Sequence, residues 1–218
     1  MKRSRRRLAG AVLAVGMAAV GLVVPLGNVA AVAQPTENPH WGISPYYPEC
    51  VEGPCRVVII ADKTGNPQFA TQIQRWAAWM NFARTTYNLQ LPAFGYVQLN
   101  DPSCAVADGV ISVCRSNQIL IDDCPGEPTP IRCTQFTMNL ASKHFGHVRS
   151  VFSEQPVADP DAWSLVCAAL GRSIGMLPSE APDSCLQPSI TLGTGQEKYY
   201  AISDWLSLFA TYAHPANE

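Results

Sequence analysis

The chain has no Cys-x-x-Cys pair, no internal repeat, no low-complexity linker and no basic stripe beyond its first seven residues. Each absence removes a class of protein. A zinc ribbon needs paired Cys-x-x-Cys spacings, so that reading fails. A general nucleic-acid role needs a basic face, as does binding to an anionic membrane surface, and neither has a footprint here. No cysteine stands near the end of the apolar leader, the first being Cys50, which argues against a lipid-anchored lipoprotein.

What is present starts with an export signal. Lys2, Arg3, Arg5, Arg6 and Arg7 precede an apolar run from Leu8 to about Leu26, and Ala31-Val32-Ala33 fits a small-x-small cleavage pattern. Residues 1–33 therefore read as a signal peptide, with the mature chain beginning near Gln34. Ser4-Arg5-Arg6-Arg7-Leu8 also loosely fits a twin-arginine signal, and the run is long enough for an uncleaved anchor. Cleavage removes five of the 15 Lys and Arg and none of the 17 Asp and Glu, leaving an acidic mature chain of net charge near −7. About 185 residues remain, enough for one domain with a core of its own.

Eight cysteines in an exported chain predict disulfides: Cys50, Cys55, Cys104, Cys114, Cys124, Cys133, Cys167 and Cys185. Many connectivities are possible. Short separations favour neighbours in order, 50–55, 104–114, 124–133 and 167–185.

Residues 34–55 are rich in Pro, Gly and polar side chains and read as an irregular N-terminal arm. Arg56 to Ala61 is a continuous β-branched run, expected as a strand buried on both faces. A helix is predicted from Gln68 to Tyr87, with Phe69, Ile73, Trp76, Met80, Ala83 and Tyr87 on one face. Strand signals follow at Phe94–Leu99, Val110–Cys114 and Gln118–Ile121. Thr134 to Leu140 alternates polar and apolar, as an edge strand would. Asp159-Pro160-Asp161 predicts a helix start with Asp159 as N-cap. A last helix is expected over Lys198–Tyr212, burying Ile202, Trp205, Phe209 and Tyr212. This order predicts an α+β domain over residues 56–214, one mixed, twisted sheet with helices packed on it, then a short tail at 215–218.

The segment Leu165-Val166-Cys167-Ala168-Ala169-Leu170-Gly171-Arg172-Ser173-Ile174-Gly175-Met176-Leu177-Pro178 resembles the active-site helix of metzincin zinc proteases. The likeness is to the small secreted matrixin-like enzymes of actinobacteria, which carry a Cys followed by H-E-L-G-H-x-L-G-L-x-H. The retained frame is Cys167, Leu170-Gly171 and Ile174-Gly175-Met176. Ser184-Cys185-Leu186 resembles that family's Met-turn, with Leu for Met, and Tyr200 to His214 resembles its C-terminal helix. Thr134 to Leu140 resembles its substrate-lining edge strand. The resemblance implies a metzincin-like fold and favours a Cys167–Cys185 disulfide.

The family's chemistry is not carried over. The first ligand His corresponds to Ala168, the general-base Glu to Ala169, the second His to Arg172 and the third to Pro178. Holding zinc with one open position takes three imidazoles, and activating its water takes a carboxylate. Ala and Pro offer no lone pair, and Arg is a permanent cation. A pseudoprotease without metal or cofactor is expected, binding a peptide or protein and no nucleic acid. Stable membrane association after signal cleavage is not expected, and the chain should be a monomer.

Gln135, Phe136, Thr137 and Met138 are the candidate peptide-binding residues, since an exposed strand edge accepts an extended partner through main-chain hydrogen bonds. Loops or the N-terminal arm covering that edge would be the alternative. Arg172 is the candidate for a ligand carboxylate, unless Glu180 or Asp183 pairs with it internally.

Two other readings stay open. A relocated zinc site could use His144 and His147, helped by Asp122 and Asp123, although loop histidines facing solvent account for the pair as well. Gly171-Arg172-Ser173-Ile174-Gly175 fits the G-x-S-x-G elbow of a serine esterase, with Asp183 or Asp204 and His214 completing the order. That elbow needs a strand before the Ser, whereas a helix is expected there. His40 and His214, near the chain ends, read as surface residues.

Overall fold

A computed structural model describes Trp41 and residues 57–87, 91–99, 101, 103–125, 130–138 and 145–212. The signal peptide, most of the arm, Cys50 and Cys55, residues 139–140, His40, His144, His214 and the 215–218 tail lie outside these residues.

Four parallel strands and one antiparallel edge strand make a five-stranded sheet of order β2-β1-β3-β5-β4. The β-branched run forms β1, Val57–Lys63, near the centre of the sheet between its two parallel partners. Its inner residues are buried because both faces are covered. Pro67–Thr86 is α1, begun by Asn66, whose side chain accepts from the N–H groups of Gln68 and Phe69. Pro67 at the first turn loses nothing, since its missing N–H would have had no helical partner. Phe69, Ile73, Trp76, Met80 and Ala83 form the buried face as expected, but Tyr87 is exposed because the helix ends before it.

Ala93–Gln98 is β2 and Val110–Arg115 is β3. Asn117–Asp123 is a helix, α2, which corrects the strand expected at Gln118–Ile121. Ser116 caps it by accepting from Ile119 N–H, and Gln118 bonds Asp122 one turn on, so local capping overrides the apolar pair Ile119-Leu120. Arg132–Met138 is β4, at the sheet edge as expected but two residues earlier at its start. Phe145–Phe152 is β5, which the sequence reading missed. Its polar positions Gly146, His147 and Arg149 fall on the face away from the main core, so it lacks the continuous apolar look of β1.

Asp159–Ser173 is α3; Ala158 rather than Asp159 holds the N-cap position, and no side chain caps the helix start. The Asp159 carboxylate accepts instead from Gln68 Nε2 at 2.7 Å, joining α3 to α1. Ile202–Tyr212 is α4, shorter than expected. Its buried residues are Asp204, Leu208, Thr211 and Tyr212; Ile202 is 80% exposed and Trp205 and Phe209 are half-buried. Asp204 rotates the face, because its carboxylate accepts from Ser184 Oγ at 2.6 Å and Ala201 N–H at 2.7 Å.

Helices α1 and α3 pack together on one face of the sheet over the main core. The other face carries α2 and a smaller cluster of Cys104, Cys114, Leu120, Cys133 and Val151. Disulfides join Cys104–Cys114, Cys124–Cys133 and Cys167–Cys185, with Cα separations of 5.7, 6.3 and 5.9 Å.

Candidate functional site

Helix α3 carries the motif residues and is buried along nearly all of its length. Its end is a Schellman turn. Gly175 N–H bonds Arg172 C=O at 3.1 Å and Met176 N–H bonds Gly171 C=O at 3.0 Å. Gly175 has φ 94°, a left-handed conformation that a side chain would strain. Gly171 serves packing instead. A Cβ there would stand 2.7 Å from Tyr200 Oη and 2.8 Å from a Leu186 methyl. Tyr200 uses that room to accept from Trp76 Nε1 at 2.7 Å and donate to Cys167 C=O at 2.8 Å. Burial pushes its phenol pKa well up, holding it neutral as a donor. Leu186 thus lies against α3 beside the Cys167–Cys185 disulfide.

The positions where the resemblance puts zinc ligands do not fit that metal. Ala168 and Ala169 are wholly buried in the main core and offer methyl groups, so no open cleft reaches them. Arg172 is half-buried, and its Nη1 donates to Met176 C=O at 2.8 Å. Burial lowers its pKa from the ordinary guanidinium value. No ion pair to Glu180 or Asp183 forms among the described residues, which corrects the internal pairing expected for it. The carbonyl end of α3 supplies the compensating negative charge. Pro178 is exposed and lines a groove of about 350 Å³ with Met176, Leu177, Leu186 and the first turn of α4.

Trp41 seals the end of α3, a role with no signal in the sequence beyond a large aromatic in a polar arm. It is 3% exposed, and its indole N–H donates to Ser173 C=O at 2.7 Å. Its backbone N–H donates to Tyr212 Oη, which in turn donates to Ile174 C=O at 3.0 Å. Two carbonyls left over at the helix end thereby gain donors. The ring meets Phe145 edge-on at 5.5 Å, and Phe145 meets Phe136 at 4.8 Å, so the contact reaches the edge strand.

Strand β4 is the least covered part of this region. Gln135, Phe136 and Thr137 are exposed and Met138 is half-buried against the core. Gln135 donates to Asp123 C=O at 2.7 Å on the α2 side. Thr137 Oγ1 accepts from His147 N–H and lies 3.1 Å from its Nδ1. Thr134, Ser150 and Ser173 form a chain of hydroxyls at 3.0 and 2.9 Å that ends on Ala169 C=O, tying β4 through β5 to α3.

That chain also bears on the esterase reading. Ser173 is fully buried, lies inside a helix rather than after a strand, and its Oγ donates to Ala169 C=O at 2.8 Å. The elbow geometry is absent. Asp204 caps α4, and Asp183 is exposed on a turn. His147 lies in β5 rather than in a loop, 3.7 Å from Asp108, while Asp123 is taken up by Arg149 at 2.6 Å. Among the described residues no three His, Cys, Asp or Glu side chains converge as a metal-binding group. No helix among them is long and apolar enough to cross a membrane. Compared with protein-family models and with curated proteins, the chain matches none.

Proposed function

We propose that this chain is a secreted, catalytically inactive metalloprotease-like protein of metzincin-like fold that binds an extended peptide or protein segment along β4. The observation that carries the reading is the contrast at one place. The middle of an edge strand is exposed, and beside it the ligand positions of α3 hold no metal donor. The antiparallel edge strand next to α3 and the Cys185-Leu186 turn tied beneath that helix support the metzincin-like reading. Three disulfides suit an oxidising compartment, in keeping with the export signal.

Binding would work by strand addition. Among the described residues no strand pairs with the outer edge of β4, which can offer main-chain groups, and Phe136 offers an apolar contact. Arg172 is the cation for a ligand carboxylate. Its guanidinium is half-desolvated yet has a single carbonyl partner, so a carboxylate gains a charge-assisted contact there.

The test joins metal analysis after exhaustive dialysis, a general peptide-cleavage assay, and amide exchange over residues 132–138 with and without a pool of extended peptides. The expected outcome is no bound zinc, no cleavage, peptide-dependent protection of β4, and loss of that protection in Arg172→Ala. Stoichiometric zinc with cleavage would overturn the reading and make His144 and His147 the first residues to mutate.

A further inference from the structure

A solvent-facing helix normally shows charged side chains opposite its buried stripe. Helices α1 and α4 do not. The exposed residues of α1 include Thr71, Gln74, Ala78, Phe82 and Thr85, and its one exposed charge, Arg75, is neutralised by a bidentate contact with Glu197. Arg84 is half-buried and donates to Leu91 C=O. The exposed residues of α4 are Ile202, Ser203, Leu206 and Ala210, and its one charge, Asp204, is buried. This uncharged surface belongs to a chain whose mature form has a net charge near −7.

The two helices share one apolar crest. Trp79 of α1 meets Trp205 of α4 at 5.5 Å and Tyr199 at 5.7 Å, and Trp205 meets Phe209 at 5.8 Å. Ile202 and Leu206 flank Trp205 along α4, and Phe82 continues the Trp79 side of α1. Phe82 is 61% exposed, Tyr199 40%, Ile202 80% and Leu206 62%. At roughly 200 Å² for a large side chain, these four expose on the order of 500 Å² of mostly apolar surface. That is near the upper end of the largest patch a monomer ordinarily shows. It also equals the apolar share, about 60%, of the roughly 800 Å² that each partner buries in a stable complex.

We infer that the α1–α4 crest is a self-association surface on which a second copy of this chain docks about a two-fold axis. Aromatic enrichment with charge depletion is the composition of an interface centre. A two-fold contact sets a patch against itself, so it requires a surface without unpaired charge of one sign. The crest meets that requirement, while the net negative charge of the rest of the chain opposes a second copy docking elsewhere. A basic partner would be drawn to the acidic surface instead. The crest lies apart from β4, so pairing leaves the proposed peptide edge free, and it replaces the monomer expected from the sequence.

The experiment is light scattering with size exclusion over a concentration series on the purified chain, on Ile202→Glu/Leu206→Glu, and on Val97→Glu, an exposed apolar residue of β2 outside the crest. The wild-type chain is expected at twice its own mass, the double variant at its own mass, and Val97→Glu like wild type. Both α4 side chains are exposed, so folding should persist, with far-ultraviolet dichroism as the check and Phe82→Glu as the substitute if it does not. A wild-type chain that stays at its own mass overturns the inference, as does a double variant, or its substitute, that still pairs.

Discussion

Helix α3 and strand β4 lie side by side and are finished in opposite ways. Almost every α3 residue is buried, its end carbonyls are met by Trp41 and Tyr212, and its one cation leans on Met176 C=O. Only Cys133 of β4 is buried, and the middle of the strand faces outward. Helix α3 is part of the core, while the neighbouring edge is exposed. Packing accounts for the retained motif residues: Gly171 makes room for Tyr200 and Leu186, Gly175 turns the chain, and Cys167 holds the Cys185 turn. None of these roles needs a metal.

That contrast can be broken most forcefully at Trp41. Trp41→Ala is expected to lower stability by about 3–5 kcal/mol, since it empties a large aromatic site and leaves Ser173 C=O without its donor. Urea unfolding measures it, and a loss below about 1 kcal/mol would show that α3 needs no plug from the arm. Tyr200→Phe keeps the ring and removes the hydroxyl that joins Trp76 to Cys167 C=O. A loss of about 1–3 kcal/mol is expected, because the buried Trp76 indole N–H is left unmet. An unchanged midpoint would mean that water takes the hydroxyl's place. Phe136→Ser on β4 should cost about 1 kcal/mol or less, since the ring is 40% exposed and mainly meets Phe145. The same variant should weaken the peptide-dependent protection of β4; full protection would remove Phe136 from the contact.

Much of this arrangement was legible where one local rule dominated. The β-branched run, the three- and four-residue spacing of the buried face of α1 and the alternation of β4 each carried their own periodicity. Failures came where a neighbour decided the outcome. Gln118–Ile121 has apolar residues that suit a strand, but Ser116 caps them into a helix between two disulfides. β5 was missed because Gly146, His147 and Arg149 interrupt its pattern. The polar ones are tolerated since His147 meets Thr137 and Arg149 meets Gln135 and Asp123, while Gly146 leaves room beside Thr137. The face of α4 was misjudged by one buried carboxylate, Asp204, which caps the helix from inside.

By itself the sequence determined the element types with strong periodicity, the presence of disulfides, and the lack of any imidazole or carboxylate at the four positions of the resemblance. Those properties belong to single residues and near neighbours, so spacing reveals them. Only the tertiary structure decided that Ala168 is core rather than cleft, that Trp41 closes α3, and that Arg172 rests on a carbonyl instead of Glu180 or Asp183. Burial and partnership depend on residues far apart in the chain. Trp41 and Ser173 are separated by 132 positions and meet at 2.7 Å. No local pattern encodes such a contact; it exists only once the sheet has brought both segments to the same end of α3.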